Sequence, residues 1–184
     1  SENDYLDLYV PDSDEPMPLI VMVHGGGFVF NDSQSRQAQL MYRYFRDHGY
    51  ACASINYRLA QEAAFPAGVE DVKSAIRFLR ANAEKFSIDA KHIGVFGGSA
   101  GGYLAAMAGT TNGVKGFDKG ENLNYSSDVQ AVVDVYGVSD VAKIGADYNK
   151  AVQKTHESAA ATEALWVNGS PVFGGKDGGI NANP

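Results

Sequence analysis

Apolar runs and amphipathic stretches alternate along the chain, and their order is the first signal of its architecture. Leu19 to Val23 (LIVMV), Ala51 to Ile55 (ACASI), Ile93 to Gly97 (IGVFG) and Ala131 to Gly137 (AVVDVYG) are short and mostly apolar, as strands covered on both faces should be. Tyr5 to Val10 (YLDLYV) alternates instead and reads as an edge strand. Val69, Val72, Ile76 and Leu79 recur at three- and four-residue intervals, as do Ala38, Met41, Tyr42 and Phe45, which predicts two helices with one apolar face each. A third helix is expected from Ala100 to about Ala108. Pro66 is read as setting an extended approach to the helix at Val69, and Ser87-Ile88-Asp89 as punctuation before the next strand. The acidic segment Pro11 to Pro16 (PDSDEP) reads as a solvated hairpin turn rather than a calcium loop. Strands alternating with helices specify an α/β fold with a mostly parallel sheet and helices on both faces. Beyond Gly137 the pattern weakens to one short helix near Ala159 to Val167 and a Gly/Asn-rich tail.

Composition narrows this picture. A chain of 184 residues, 45% hydrophobic and 11% aromatic, is long enough for one domain with a sizeable core. We take residues 1–184 as that single domain, with its core in 5–140 and a cap-like or loop-rich segment over 141–184. A formal charge of -7 and the absence of any Lys/Arg run argue against a nucleic-acid partner. Cys52, the one cysteine, sits among small apolar residues and reads as core. No apolar run approaches the ~20 residues of a membrane span, and no charged n-region precedes an apolar h-region. Compartment and oligomeric state are left open. No internal repeat of solenoid period occurs.

Two glycine clusters carry the chemistry. Gly97-Gly98-Ser99-Ala100-Gly101 lies between an apolar strand and an apolar helix, the strand-turn-helix setting in which G-x-S-x-G acts as a nucleophile elbow. The serine must sit on a sharp, strained turn, and side chains two residues before and after it would strike neighbouring backbone. Acyl transfer also builds negative charge on the former carbonyl oxygen, which needs backbone N–H groups at close range. His24-Gly25-Gly26-Gly27 follows an earlier strand and can bring bare backbone to that point. Ser99 is therefore the candidate nucleophile, and the amides of Gly26, Gly27 and Ala100 the candidate oxyanion hole. Phe28, Phe30, Tyr103 and Tyr136 flank the proposed site in sequence and are candidate pocket residues.

With these residues in view, the chain resembles the α/β-hydrolase superfamily, specifically the hormone-sensitive-lipase-like carboxylesterases and the neighbouring bacterial acetyl/feruloyl esterase group. The resemblance rests on HGGGF (His24 to Phe28), INYRLA (Ile55 to Ala60), the segment Phe65 to Asp89, IGVFGGSAGGYLAA (Ile93 to Ala106) and VQAVVDVYGVSD (Val129 to Asp140). HESAAATEALWVNG (His156 to Gly169) and the terminal NANP match the group less firmly. The resemblance implies Ser99 as nucleophile, an Arg58–Asp71 scaffold ion pair, no cofactor and no metal. As substrates it implies small-molecule, short-chain acyl esters, with acetylated or feruloylated carbohydrate as a family-level extension.

One departure stands out. In these hydrolases the acid and the histidine follow the serine on loops after later strands, and those strands are expected to be missing here, which places acid and base beyond Pro184. A serine hydroxyl without a base is nearly inert. His156 is the one histidine after Ser99, but no acid motif precedes it, and it reads as a loop histidine. His24 reads as structural, and His48 and His92 as exposed. The alternative function is a catalytically silent hydrolase-like fragment or binding module. Neither glycine cluster has the G-x-G-x-x-G spacing of a dinucleotide site, GGKDGG has Asp177 where a P-loop needs Ser or Thr, and no H-E-x-x-H or paired Cys/His spacing supports a metal.

Overall fold

The structure, a computed structural model, describes residues 5–168. The tail from Gly169, with GGKDGG and NANP, lies outside the described residues. Five strands form one sheet in the order β1-β3-β2-β4-β5: β1 (Leu6–Tyr9), β2 (Met17–Val23), β3 (Ala51–Ile55), β4 (Ile88–Gly98) and β5 (Ala131–Val135). β1 runs antiparallel to β3, and every other pairing is parallel. Three helices, α1 (Arg36–Asp47), α2 (Ala67–Ala81) and α3 (Ala100–Thr110), provide the crossovers between parallel strands.

Alternation along the strands decides which helix covers which face. Leu19, Val21 and Val23 of β2, with Ile93 and Val95 of β4, join the core formed with Val69, Val72, Ile76 and Leu79 of α2 and Leu104 of α3. Their neighbours Met22 and Phe96 face α1, where Phe45 meets Phe96 edge-on at 5.7 Å. Helices thus lie on both faces. β3 is buried along its whole length, so its five small or apolar residues match their surroundings.

Five features differ from the sequence reading. β4 begins at Ile88, directly after Ser87 at φ 52°, so Ile88 and Asp89 start the strand instead of preceding it. Pro66 has φ -96° and ψ 16°, a turn and not an extended approach, and caps α2 one residue before Ala67. The acidic segment after β1 is no hairpin turn, because β3 lies between β1 and β2. β5 is apolar but mostly exposed, since β4 is its single described strand partner and its outer edge is uncovered among the described residues. Finally, the region after β5 holds two short helices, α4 (Lys150–His156) and α5 (Thr162–Trp166), where one was expected. Asn149 starts α4 by accepting from the amides of Ala151 and Val152, a cap that the apolar pattern does not register.

A loop of residues 111–128 is pinned against α2 by cations that the helical pattern would have placed in solvent. Lys73 donates to the Thr111 carbonyl at 3.0 Å, Arg77 to Asp118 at 2.9 Å and to the Lys119 carbonyl, and Arg80 to the Asp128 carbonyl at 2.8 Å. Lys73 and Arg77 are fully buried beneath this loop.

Candidate active site

Strand register assembles the site. Val23 pairs with Gly97, and Gly98 with Val135, so the loop after β2, the turn after β4 and Tyr136 leave the sheet side by side at its C-terminal end. Open parallel sheets present their functional loops at this end.

At the turn, Ser99 has φ 56° and ψ -124°, a conformation that costs a non-glycine residue on the order of 1–3 kcal/mol. It is held there from two sides: the Ser99 amide donates to the Val135 carbonyl at 2.9 Å, and the Ser99 carbonyl accepts the first helical bond of α3 from Tyr103 at 3.0 Å. The flanking glycines have the steric role expected of them. A Cβ on Gly97 would strike the Gly101 carbonyl, and one on Gly101 would strike the carbonyls of Val23 and His24. Ser99 itself is exposed while Gly97, Gly98, Ala100 and Gly101 are buried, so the turn lifts one hydroxyl out of a closed surface.

The loop after β2 packs against this turn. A Cβ on Gly25 would lie 2.8 Å from the Gly98 carbonyl oxygen and 3.4 Å from Ser99 Cβ. Gly26 (φ 133°) and Gly27 (φ 57°) then turn the chain back, and the Gly26 carbonyl accepts from Val29 and Phe30 at 3.0 and 3.2 Å. The amides of Gly26, Gly27 and Ala100 donate to no described residue. Asn31 ties the loop down by donating from Nδ2 to the Gly25 carbonyl at 3.2 Å.

Beneath the loop, His24 is buried, its Nδ1 2.9 Å from the Gly25 carbonyl oxygen and its ring stacked on Tyr57 at 4.4 Å. Burial holds its imidazole below the ordinary value, so it is neutral at pH 7 and acts in the scaffold. The Tyr57 hydroxyl donates to the His24 carbonyl at 3.0 Å, and burial pushes that phenol well above the ordinary range. The Arg58–Asp71 pair forms as expected, with Nη2 to Oδ1 at 2.8 Å and the Arg58 amide to Oδ2 at 2.8 Å. The hydrogen bonds that Arg58 donates to the Asp71 carboxylate raise the guanidinium further. Cys52 is a buried core residue whose thiol is pushed up to about 12 by burial.

The four aromatic candidates divide. Phe28 and Tyr103 are core residues, Phe28 stacked on Trp166 at 4.6 Å and edge-on to Tyr103 at 5.3 Å. Phe30 and Tyr136 are open, at 60% and 74% exposure. The sequence reading missed the roof over the glycine loop. Thr162 of α5 lies 3.2 Å from the Cβ position of Gly27, its hydroxyl donates to Glu163 at 3.1 Å, and buried Glu163 pairs with His156 of α4. The signal available was TEALW, an amphipathic turn ending in the one tryptophan. No described hydrogen bond joins any of the four histidines to Ser99. His48 is paired with the Tyr44 carbonyl, His92 with Asp89 and His156 with Glu163. His156 also borders a cavity of about 230 Å³ between residues 141–146 and α4. Among the described residues no group of three or more His, Cys, Asp or Glu is arranged to hold a metal ion, and no helix is long and apolar enough to cross a membrane.

A mostly parallel sheet with crossover helices, and a serine on a strained strand-to-helix turn beside a glycine loop, define an α/β hydrolase. Within that class the chain belongs to the BD-FAE family, whose model matches residues 6–174. The chain is similar to the esterase LipC of Mycobacterium tuberculosis, at 36% identity over 126 residues, 68% of this chain and 31% of LipC. Among solved structures it is similar to a bifunctional GH43-CE protein of Bacteroides eggerthii, with a TM-score of 0.80, 37% identity, 90% of this chain and 22% of that one. It is also similar to a truncated form of a carbohydrate esterase from gut microbiota, with a TM-score of 0.77, 34% identity, 88% of this chain and 59% of that one. The chain spans about a third of the length of the curated relatives it matches.

Proposed function

We propose that this chain supplies the nucleophile and oxyanion hole of a serine carboxylesterase acting on short-chain acyl esters, acylated carbohydrates among them. The observation that carries the reading is the exposed Ser99 on its strained turn, with the glycine loop after β2 packed against that turn at Gly25. The Ser99 hydroxyl attacks the ester carbonyl and a base takes its proton. The amides of Gly26, Gly27 and Ala100 hold the oxyanion, the alcohol leaves with that proton, and water then releases the acid from the acyl-serine. Removing a hole donor of this kind costs about 3 kcal/mol of transition-state stabilisation. We place the base on a histidine other than the four in this chain, because none of them is bonded to Ser99 and His24 is sealed in the scaffold. The carbohydrate part of the reading is supported by the similarity to a solved carbohydrate esterase.

The test is covalent labelling of the full-length protein with a fluorophosphonate, followed by peptide mass analysis. The reading expects one adduct, on Ser99, that is absent from the Ser99→Ala protein and retained in the His156→Gln protein. A folded protein whose Ser99 stays unlabelled would overturn it in favour of a catalytically silent binding module. Loss of the adduct in His156→Gln would return His156 to the role of base.

A further inference from the structure

We infer that Gln37 and Tyr136 form a subsite beside Ser99 that reads hydroxyl groups on the alcohol portion of the ester; this rests on the esterase reading and deepens it. The two residues come from different parts of the chain, Gln37 from the first turn of α1 and Tyr136 from the position just after β5, yet they converge on one point. The Gln37 amide nitrogen lies 2.8 Å, and the Tyr136 hydroxyl 3.3 Å, from the Cβ position of Gly98, the residue preceding Ser99. Neither polar group makes a hydrogen bond to a described residue. Tyr136 is 74% exposed and Gln37 half-buried, so neither polar group is sealed from solvent.

The chemistry of the pair selects its ligand. A carboxamide offers two donors and an acceptor, and a phenol offers one donor and an acceptor. A short acyl chain has no polar atom to meet them beyond the carbonyl, which the oxyanion hole takes. Neighbouring hydroxyls of a sugar present donors and acceptors in the same alternation. A cover for Gly98 alone would be met by apolar side chains, with no polar atoms left over. Tyr136 also holds φ 49°, an uncommon backbone conformation for an aromatic residue, and its phenol end lies beside the turn, offering a flat amphipathic face to a pyranose.

The test compares two esters in the full-length protein: p-nitrophenyl acetate, whose leaving group carries no hydroxyl, and a mono-O-acetylated methyl pyranoside. The quantity read is the ratio of kcat/KM for the sugar ester to that for the nitrophenyl ester. Gln37→Leu and Tyr136→Phe are each expected to lower this ratio about tenfold or more, with a rise in KM for the sugar ester, because a site built for a hydroxyl loses discrimination when its partner is removed. Tyr44→Phe, an exposed phenol on the same helix, should leave both activities unchanged. An unchanged ratio in both variants would overturn the subsite, including the case where both activities fall together. Loss of both activities in Ser99→Ala alongside an unchanged ratio would leave the esterase reading standing without it. If the wild-type protein turns over neither ester, NMR shift perturbation with the methyl pyranoside decides: binding lost in Tyr136→Phe supports the subsite, and no binding to wild type overturns it.

Discussion

The two glycine-rich turns look alike in sequence but are determined by different neighbours. At the turn after β4, glycine is required by backbone: Gly97 abuts the Gly101 carbonyl, and Gly101 the carbonyls of Val23 and His24. In the loop after β2 the inner half obeys the same rule, with Gly25 against the Gly98 carbonyl. The outer half does not. The nearest groups to a Cβ on Gly27 are those of the Thr162 side chain, and Phe28 rests on Trp166. The position of Ser99 is thus set by the sheet itself, whereas part of the glycine loop after β2 is set by α5, contributed more than a hundred residues later in the chain. Precision at the serine and support for the glycine loop come from separate parts of the molecule.

Substitutions can break or sharpen that contrast. The largest effect is expected for Gly101→Ala, whose methyl group has no flexible neighbour to displace; it should cost more than about 4 kcal/mol or abolish folding, read by urea denaturation. Trp166→Ala should cost about 3–5 kcal/mol by the same measurement and also lower esterase activity through the loop it supports. If activity survived at full level, α5 would not brace the hole. The scaffold must be constant over the pH range in which turnover is compared, and Asp118 sets its acid limit. Burial raises the Asp118 carboxyl, but hydrogen bonds from Ser127 and Lys115 and the charges of Arg77 and Lys73 outweigh this and leave it below the ordinary carboxylate value. Its stabilisation is therefore complete above that ordinary value and is lost as pH falls through the lowered one, below about pH 4. Asp118→Asn should cost about 3 kcal/mol at neutral pH by stranding the buried Arg77 and should flatten this acid-side decline. Gly27→Ala should be the mildest, about 1–2 kcal/mol for its φ of 57° with a small shift of Thr162. A penalty equal to that of Gly101→Ala would erase the distinction.

Much of the fold was legible because local chemistry and tertiary environment agree. β3 has the bounds its apolar run predicts, β1 is an edge strand as its alternation implies, and the glycines flanking Ser99 have the contacts that the turn demands. β5 teaches the limit: Val132 and Val133 read as interior but are exposed, because an apolar run reports a preference for burial and not the presence of a neighbour. The converse holds for Lys73 and Arg77, charged residues that a helical pattern assigns to solvent and that a loop thirty to fifty residues later covers with carbonyls. For the site, Ser99 and the glycines stand out because their spacing is short-range. Thr162 and Trp166 do not, since they come to the glycine loop from a distant segment and no local spacing ties them to it.

The most direct test of the central claim is steady-state hydrolysis of p-nitrophenyl acetate by the full-length protein and its Ser99→Ala variant, with matched unfolding curves. Loss of turnover by about a thousandfold or more with the fold retained is the predicted result. Equal turnover in both proteins would contradict it and remove Ser99 from the chemistry.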